Sequence, residues 1–65
     1  MDRLQARVSE VAAQHGRQPS PYERRRAADL YRTYLAAGLT QLEAEEVAAL
    51  QSLGVVLPSP YLISQ

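Results

Sequence analysis

The sequence has no cysteine, and its single histidine is His15. Without cysteine, neither a disulfide nor a thiolate metal site can form. One imidazole makes a poor zinc site, so we expect no metal and no cofactor. A chain of 65 residues buries only about 60% of the surface that its unfolded form exposes. Because small domains usually need a staple or a partner, a partner protein or a second copy is the expected source of further stability.

The sequence also has no charge excess of either sign. Seven basic and seven acidic residues give a formal net charge of zero. Proteins that bind nucleic acid or membrane surfaces normally carry a basic excess, so neutrality disfavours both partners. All the basic residues are arginine and none is lysine. The planar guanidinium suits interfacial pairing better than an ammonium does, although a GC-rich genome gives the same bias.

Long apolar runs are missing as well. No stretch approaches the roughly 18 to 20 residues that a membrane span requires. Residues 1–5 have no apolar core of the kind found in signal peptides. We therefore expect a cytoplasmic location, or one within an assembly built in the cytoplasm, and no membrane span.

Groups suited to catalysis are few. There is no cysteine nucleophile, the serines have no histidine or lysine near them in sequence, and each glycine falls at a predicted helix end rather than in a phosphate loop. His15 lies on an apolar stripe at a helix end, which indicates packing or C-capping. A substrate pocket of several hundred Å³ would also exceed what so small a chain can enclose. We expect no catalytic residues, no small-molecule substrate and no enzymatic activity.

Helical periodicity is what the sequence does contain. The pattern predicts an all-α fold of three short helices, at about residues 2–15, 21–37 and 41–53. In the first, Leu4, Val8, Val11 and His15 recur at helical spacing on one narrow stripe, while Arg7 faces away. Residues 1–54 form the predicted helical domain, and residues 55–65 form an extended apolar C-terminal arm.

Two capping boxes mark where the second and third helices begin. Ser20 is followed by Pro21 at the first helical position and by Glu23 at the third, and Thr40 is followed by Glu43. Gly38 ends the second helix, so only two or three residues join it to the third. Such short connections favour a helical hairpin or a helix-turn-helix corner.

The segment Leu35-Ala36-Ala37-Gly38-Leu39-Thr40-Gln41 resembles the turn of helix-turn-helix repressors of the Xre/Cro type. That family has a short second helix of about eight residues, followed by a recognition helix. Here the distance from Gln41 to Gly54 is thirteen residues, and the Val-Val-Leu-Pro-Ser-Pro sequence that follows cannot form a recognition helix. Helix capping explains most of the seven-residue similarity, so no family is assigned.

The apolar face of the second helix spans about half its circumference and contains Tyr31, Tyr34 and Leu35. Such breadth indicates packing against neighbours on two sides. The third helix places Glu46 among Leu42, Leu50 and Leu53. A buried carboxylate needs a partner, for which Arg24 is a candidate because it intrudes on the second helix's apolar face. The alternative is that both charges lie at the rim and reach water.

The run Arg24-Arg25-Arg26 stands near a helix N-terminus, where cations oppose the helix dipole. Three sources of compensation remain open. They are local acids such as Glu23 and Asp29, an acidic protein partner, and nucleic acid.

The arm contains large apolar residues on both sides of Pro58 and Pro60. Two prolines in three residues exclude a helix and favour extended backbone. An apolar segment of this kind either covers the helical hairpin of its own chain or docks in a groove of another chain, and disorder is the third alternative.

Together these patterns predict a non-catalytic protein–protein interaction subunit, either an accessory or adaptor component of a larger assembly or a small homo-oligomer. The alternatives are a small viral or host-defence inhibitor that caps a partner protein, and a small DNA-binding regulator. Partner contacts are predicted at eight positions: Arg24, Tyr31, Tyr34, Leu35, Leu57, Tyr61, Leu62 and Ile63. For Tyr31, Tyr34 and Leu35 we also expect a part in helix packing.

Overall fold

The computed structural model describes residues 2–55, and within them the chain forms three α-helices. These are α1 (Arg3–Gln14), α2 (Pro21–Ala36) and α3 (Gln41–Ser52). The predicted all-α class and the hairpin of the second and third helices are confirmed. Each helix ends one residue earlier than predicted, because the residue at the end is a cap rather than a helical residue. Residues 56–65, with the predicted contacts Leu57, Tyr61, Leu62 and Ile63, lie outside the described residues.

Side chains cap the N-termini of all three described helices. Asp2 accepts a hydrogen bond from the Gln5 amide at 2.8 Å at the start of α1. At α2 the Glu23 amide donates to Ser20 Oγ at 3.1 Å, and the Ser20 amide donates to Glu23 Oε1 at 2.9 Å. The same reciprocal bonds join Thr40 and Glu43 at α3. Both predicted capping boxes are confirmed, and each satisfies two backbone donors that the helix leaves unpaired.

A glycine closes α2 and fixes the hairpin. Gly38 has a φ of 104°, a region that residues with a Cβ rarely adopt. This conformation lets the Leu39 amide donate back to the Tyr34 carbonyl at 3.1 Å. The chain is thereby turned at once toward the Thr40 cap of α3. The short connection brings α2 and α3 together over their length, and this pair makes the most extensive helix contact in the described residues.

Small side chains fill the centre of the bundle. Each helix packs against both of the others. The largest fully buried side chains are valines, at positions 8, 11 and 47. The buried hydrophobic residues are Leu4, Val8, Val11, Ala12, Ala27, Ala44, Val47, Ala48, Ala49 and Leu53. The predicted stripe of α1 is therefore confirmed at Leu4, Val8 and Val11. His15 is exposed and acts as the C-cap of α1, which is one of its two predicted roles.

The apolar face predicted for α3 is wrong at Leu42 and Glu46. Leu42 is 65% exposed, whereas Ala44 and Ala48 are completely buried. The face was predicted from the positions of the large leucine side chains. Alanine, however, lets a neighbouring helix approach closely, so the alanine side of α3 turns toward the bundle. Glu46 consequently lies at the edge of the buried region, with 32% of its side chain exposed.

The broad apolar face of α2 is buried only along its centre. Ala27 is fully buried, whereas Leu30, Tyr31, Tyr34 and Leu35 are half-buried. The face is broad because its large side chains flank the contact with α1 on one side and with α3 on the other. The contacts of α2 with both α1 and α3 confirm the predicted packing against two neighbours.

Arg17 lies in the segment between α1 and α2, and its side chain holds the start of α2 against the end of α3. Its guanidinium donates to both carboxylate oxygens of Glu23, at 2.9 and 3.0 Å, and to the Leu53 carbonyl at 3.2 Å. One side chain therefore joins the start of α2 to the end of α3. The hydrogen bonds from Arg17, followed by the bond from the Ser20 amide, lower the pKa of Glu23 from 4.5 to about 2.

We expect Ala48→Leu to lower the free energy of unfolding by about 1 to 3 kcal/mol, because the added methylenes would have to fit where three helices already meet. Ala13→Leu, at an exposed position of α1, should change it by less than about 0.5 kcal/mol. Urea unfolding followed by circular dichroism measures both. Equal effects of the two substitutions would contradict the close packing at Ala48.

The low pKa of Glu23 predicts a pH dependence of stability. Because the folded-state pKa lies below the value of 4.5 for a free glutamate, the contribution is complete above that value. It is lost as the pH falls toward about 2. Glu23→Gln should therefore destabilise the protein at neutral pH and make progressively less difference in acid. Arg17→Gln should shift the loss to higher pH. Urea unfolding at a series of pH values tests both, and a Glu23→Gln effect that stays constant with pH would contradict the assignment.

Candidate interaction surfaces

Glu46 does have a cationic partner, but the partner is not the predicted one. Arg7 of α1 donates from Nε to Glu46 Oε1 at 2.8 Å, and its Nη2 lies 2.6 Å from the same oxygen. Arg7 also donates to Glu10 at 2.7 Å. These bonds, that of Glu10 foremost, raise the pKa of Arg7 above its ordinary value, against the lowering effect of burial. The Arg24–Glu46 hypothesis is wrong, because Glu46 faces α1 rather than the first turns of α2.

Arg24 instead ties α2 to α1 through neutral groups. Its guanidinium donates to Ser9 Oγ at 2.8 Å and to Gln5 Oε1 at 3.0 Å. The Gln5 side chain donates in return to the Arg24 carbonyl at 3.1 Å. Arg24 was predicted as a partner contact, and the structure places its side chain in this partly buried contact between helices.

The three other predicted contacts within the described residues lie along the flanks of α2. Tyr31 packs partly buried against the core. Tyr34 crosses to α3 and donates from its hydroxyl to Gln51 Oε1 at 2.5 Å. Leu35 is half-buried. All three take part in or border helix packing, and each keeps some surface exposed.

A different set of residues forms the α2 outer face. In a helix, two residues correspond to a rotation of about 200°, so Arg25 and Asp29 point away from the buried Ala27. An open groove of about 410 Å³ runs along this side. The α2 outer face consists of Tyr22, Arg25, Arg26, Asp29, Leu30 and Thr33.

The acids beside the arginines of the α2 outer face form their ion pairs with other residues. Glu23 is paired with Arg17, and Asp29 is paired with Arg32. Within residues 2–55, Arg25 and Arg26 form no ion pair. Of the three possibilities for the arginine run, local compensation therefore involves no ion pair at these two positions within residues 2–55, and an acidic partner and nucleic acid remain predictions.

A second groove, of about 750 Å³, lies between α1 and α3. Two interhelical ion pairs line it, Arg3 with Glu45 at 3.5 Å and Arg7 with Glu46. The exposed Leu42 stands at the same groove. The α1–α3 groove consists of Arg3, Ala6, Arg7, Ser9, Glu10, Leu42, Glu45 and Glu46.

Sequence reasoning missed Tyr22 and Leu42, the large hydrophobic residues that the described part of the chain leaves most exposed, at 63% and 65%. A signal existed for Tyr22, because it falls on the same side of the helix as Arg25, Arg26 and Asp29. No comparable signal existed for Leu42. Its exposure follows from the rotation of α3 toward its alanine side, which is a tertiary effect.

Within residues 2–55, no helix combines the length and apolarity needed to cross a bilayer. The same residues contain no group of three or more acidic or histidine side chains placed to hold a metal ion. Comparison of the chain with protein-family models, with curated proteins and with solved structures gave no match.

The Arg7–Glu46 pair is partly screened by water, since about a third of each side chain is exposed. A double-mutant cycle with Arg7→Gln and Glu46→Gln should therefore give a coupling free energy of about 0.3 to 1 kcal/mol. The matched cycle at Asp29 and Arg32, whose side chains are 72% and 71% exposed, should give less. Urea unfolding measures both, and zero coupling between Arg7 and Glu46 would contradict a stabilising contact.

Proposed function

We propose that this protein is a non-catalytic protein–protein interaction subunit that binds an acidic surface of its partner through the α2 outer face. The observation that carries the proposal is the pair of arginines on that face, Arg25 and Arg26. Neither has an ion pair within residues 2–55, although acids that could have served lie on the same helix. A partner carboxylate would supply the missing anion, and a guanidinium binds carboxylates with two parallel hydrogen bonds.

Tyr22 supports a protein partner over a purely electrostatic one. Its side chain is 63% exposed, at the same groove as the two arginines. Tyrosine and arginine are the residue types enriched at the energetic centres of protein interfaces. An aromatic ring between two guanidinium groups therefore fits a protein surface that offers both carboxylates and an apolar depression.

The packing of the helices also supports a binding role for the outer side of α2. The interior side is held by Ala27 in the core and by the bonds of Arg24 to α1. On the α2 outer face Leu30 packs against the core, whereas Tyr22, Arg25 and Arg26 are exposed. These three exposed residues can therefore be used for a partner without loss of the fold. The C-terminal arm remains a second predicted contact, at Leu57, Tyr61, Leu62 and Ile63.

The proposal predicts that neutralising the two arginines weakens partner binding about tenfold or more without unfolding the protein. Arg25→Gln/Arg26→Gln preserves helix propensity and removes two interfacial charges. Affinity purification from the native source, with mass spectrometry, should find a protein that co-elutes with the unmodified chain and is depleted with the double variant. Arg3→Gln, which removes an exposed arginine of α1 outside the α2 outer face, is the control and should retain the partner.

Three outcomes decide against the proposal. Equal recovery of the same proteins with and without Arg25 and Arg26 would move the binding site elsewhere. If deletion of residues 58–65 alone abolished recovery while the double variant kept it, the arm would be the contact instead. A salt-sensitive shift of duplex DNA by the pure protein would favour the DNA-binding regulator.

A further inference from the structure

We propose that the acidic partner is a second copy of this chain, bound head to tail, with the α2 outer face of one molecule seated in the α1–α3 groove of the next. This inference rests on the proposed function and assigns the partner of the same face. It is carried by two complementary surfaces on one molecule, which differ in charge and each of which exposes one large hydrophobic side chain.

The charges of the chain are segregated even though they sum to zero. The stretch from Arg17 to Arg32 holds five arginines and two acids, a net charge of +3. The remaining charged residues, on α1 with its Asp2 cap and on α3, hold two arginines and five acids, a net charge of −3. A molecule with equal and opposite charge on two sides attracts its own copies where opposite sides meet and repels them where like sides meet.

The linings of the two grooves show the same opposition. The α2 outer face has two arginines and one aspartate, whereas the α1–α3 groove has two arginines and three glutamates. Within the molecule Arg3 is paired with Glu45, and Arg7 is paired with both Glu10 and Glu46, so the groove keeps one negative charge in excess. Glu10 binds Arg7 through Oε1 and keeps 61% of its side chain exposed, so its second carboxylate oxygen can accept from Arg25 or Arg26 of a neighbouring copy.

The apolar residues match as well. Tyr22 stands at the α2 outer face and Leu42 at the α1–α3 groove, and both are largely exposed. Each is the second residue of its helix, Tyr22 in α2 and Leu42 in α3. A single docking event would bury both side chains, whereas an isolated molecule leaves both in water.

The position of the two surfaces fixes the kind of assembly. The α2 outer face and the α1–α3 groove have no lining residue in common. The proposed contact therefore joins two different surfaces. A pairing of two α2 outer faces would also bring like charges together. The contact is heterologous, and it closes into a ring or continues as an open chain.

Sedimentation equilibrium of the intact chain tests the inference. We expect reversible association above the 7.2 kDa monomer at low salt, and we expect it to weaken at 1 M salt, where the Debye length is about 3 Å. Tyr22→Gln and Leu42→Gln should each weaken self-association by about tenfold or more, because each removes one interfacial anchor. Circular dichroism should show that both variants keep their helices, since both positions are exposed.

Mixing the two variants gives the sharper test. The Tyr22→Gln chain keeps an intact α1–α3 groove, and the Leu42→Gln chain keeps an intact α2 outer face. At a concentration where neither variant associates alone, an equimolar mixture should therefore form a one-to-one dimer that cannot extend further. Ala36→Gln, at an exposed position of α2 outside both surfaces, should associate like the unmodified chain.

The outcomes separate this inference from the function on which it rests. An unmodified chain that stays monomeric up to millimolar concentration at low salt would overturn self-assembly. The proposed function would still stand if a different protein were lost with Arg25→Gln/Arg26→Gln. Self-association that survives both glutamine substitutions, or variants that do not restore each other, would overturn the head-to-tail arrangement.

Discussion

Alanine occupies the places where the three helices meet, and this close approach determines where the other side chains can go. Ala27 on α2 and Ala44 and Ala48 on α3 are completely buried. A centre built mainly from alanine and valine has little room for larger side chains; Leu4 and Leu53 are buried, but the other large side chains lie at its margins. Tyr31 and Tyr34 are half-buried there, and Leu42 is left in water. The exposed surfaces on which both proposals depend are therefore a consequence of how the core is packed.

The arginines of this region fall into two groups: two bind other elements of the bundle, and two form no ion pair within the described residues. Arg17 and Arg24 each reach across to another element, Arg17 to the end of α3 and Arg24 to α1. Their loss would loosen the bundle. Arg25 and Arg26, which follow directly in sequence, reach nothing charged within residues 2–55. Adjacent residues on a helix point about 100° apart, which is why a run of three identical residues divides into one structural contact and two exposed cations.

The local features of the fold could be predicted from the sequence, and the tertiary ones could not. The caps at Ser20 and Thr40 and the end of α2 at Gly38 depend on residues three or four positions apart, so their chemistry is visible in a single chain. The partner of Glu46 depends on how α1 and α3 are rotated about their axes, which the spacing of leucines did not reveal. Arg7 was placed on the outward side of α1, yet its long side chain reaches Glu46. Among the residues proposed to bind a partner, the arginine run could be recognised, whereas Leu42 could not.

The order of the three helices along the chain affects the order in which their contacts can form during folding. α2 and α3 are joined by a tight turn, and the hydrogen bonds that close the turn link near neighbours, such as Leu39 and Tyr34. Contacts between near neighbours form quickly, because little chain entropy is lost in closing a short loop. α1 is made first on the ribosome, but its bond to Glu46 joins residues 39 positions apart. Because α1 packs against both other helices, its apolar stripe, with Val8 and Val11, is completely buried only after α3 has joined the bundle.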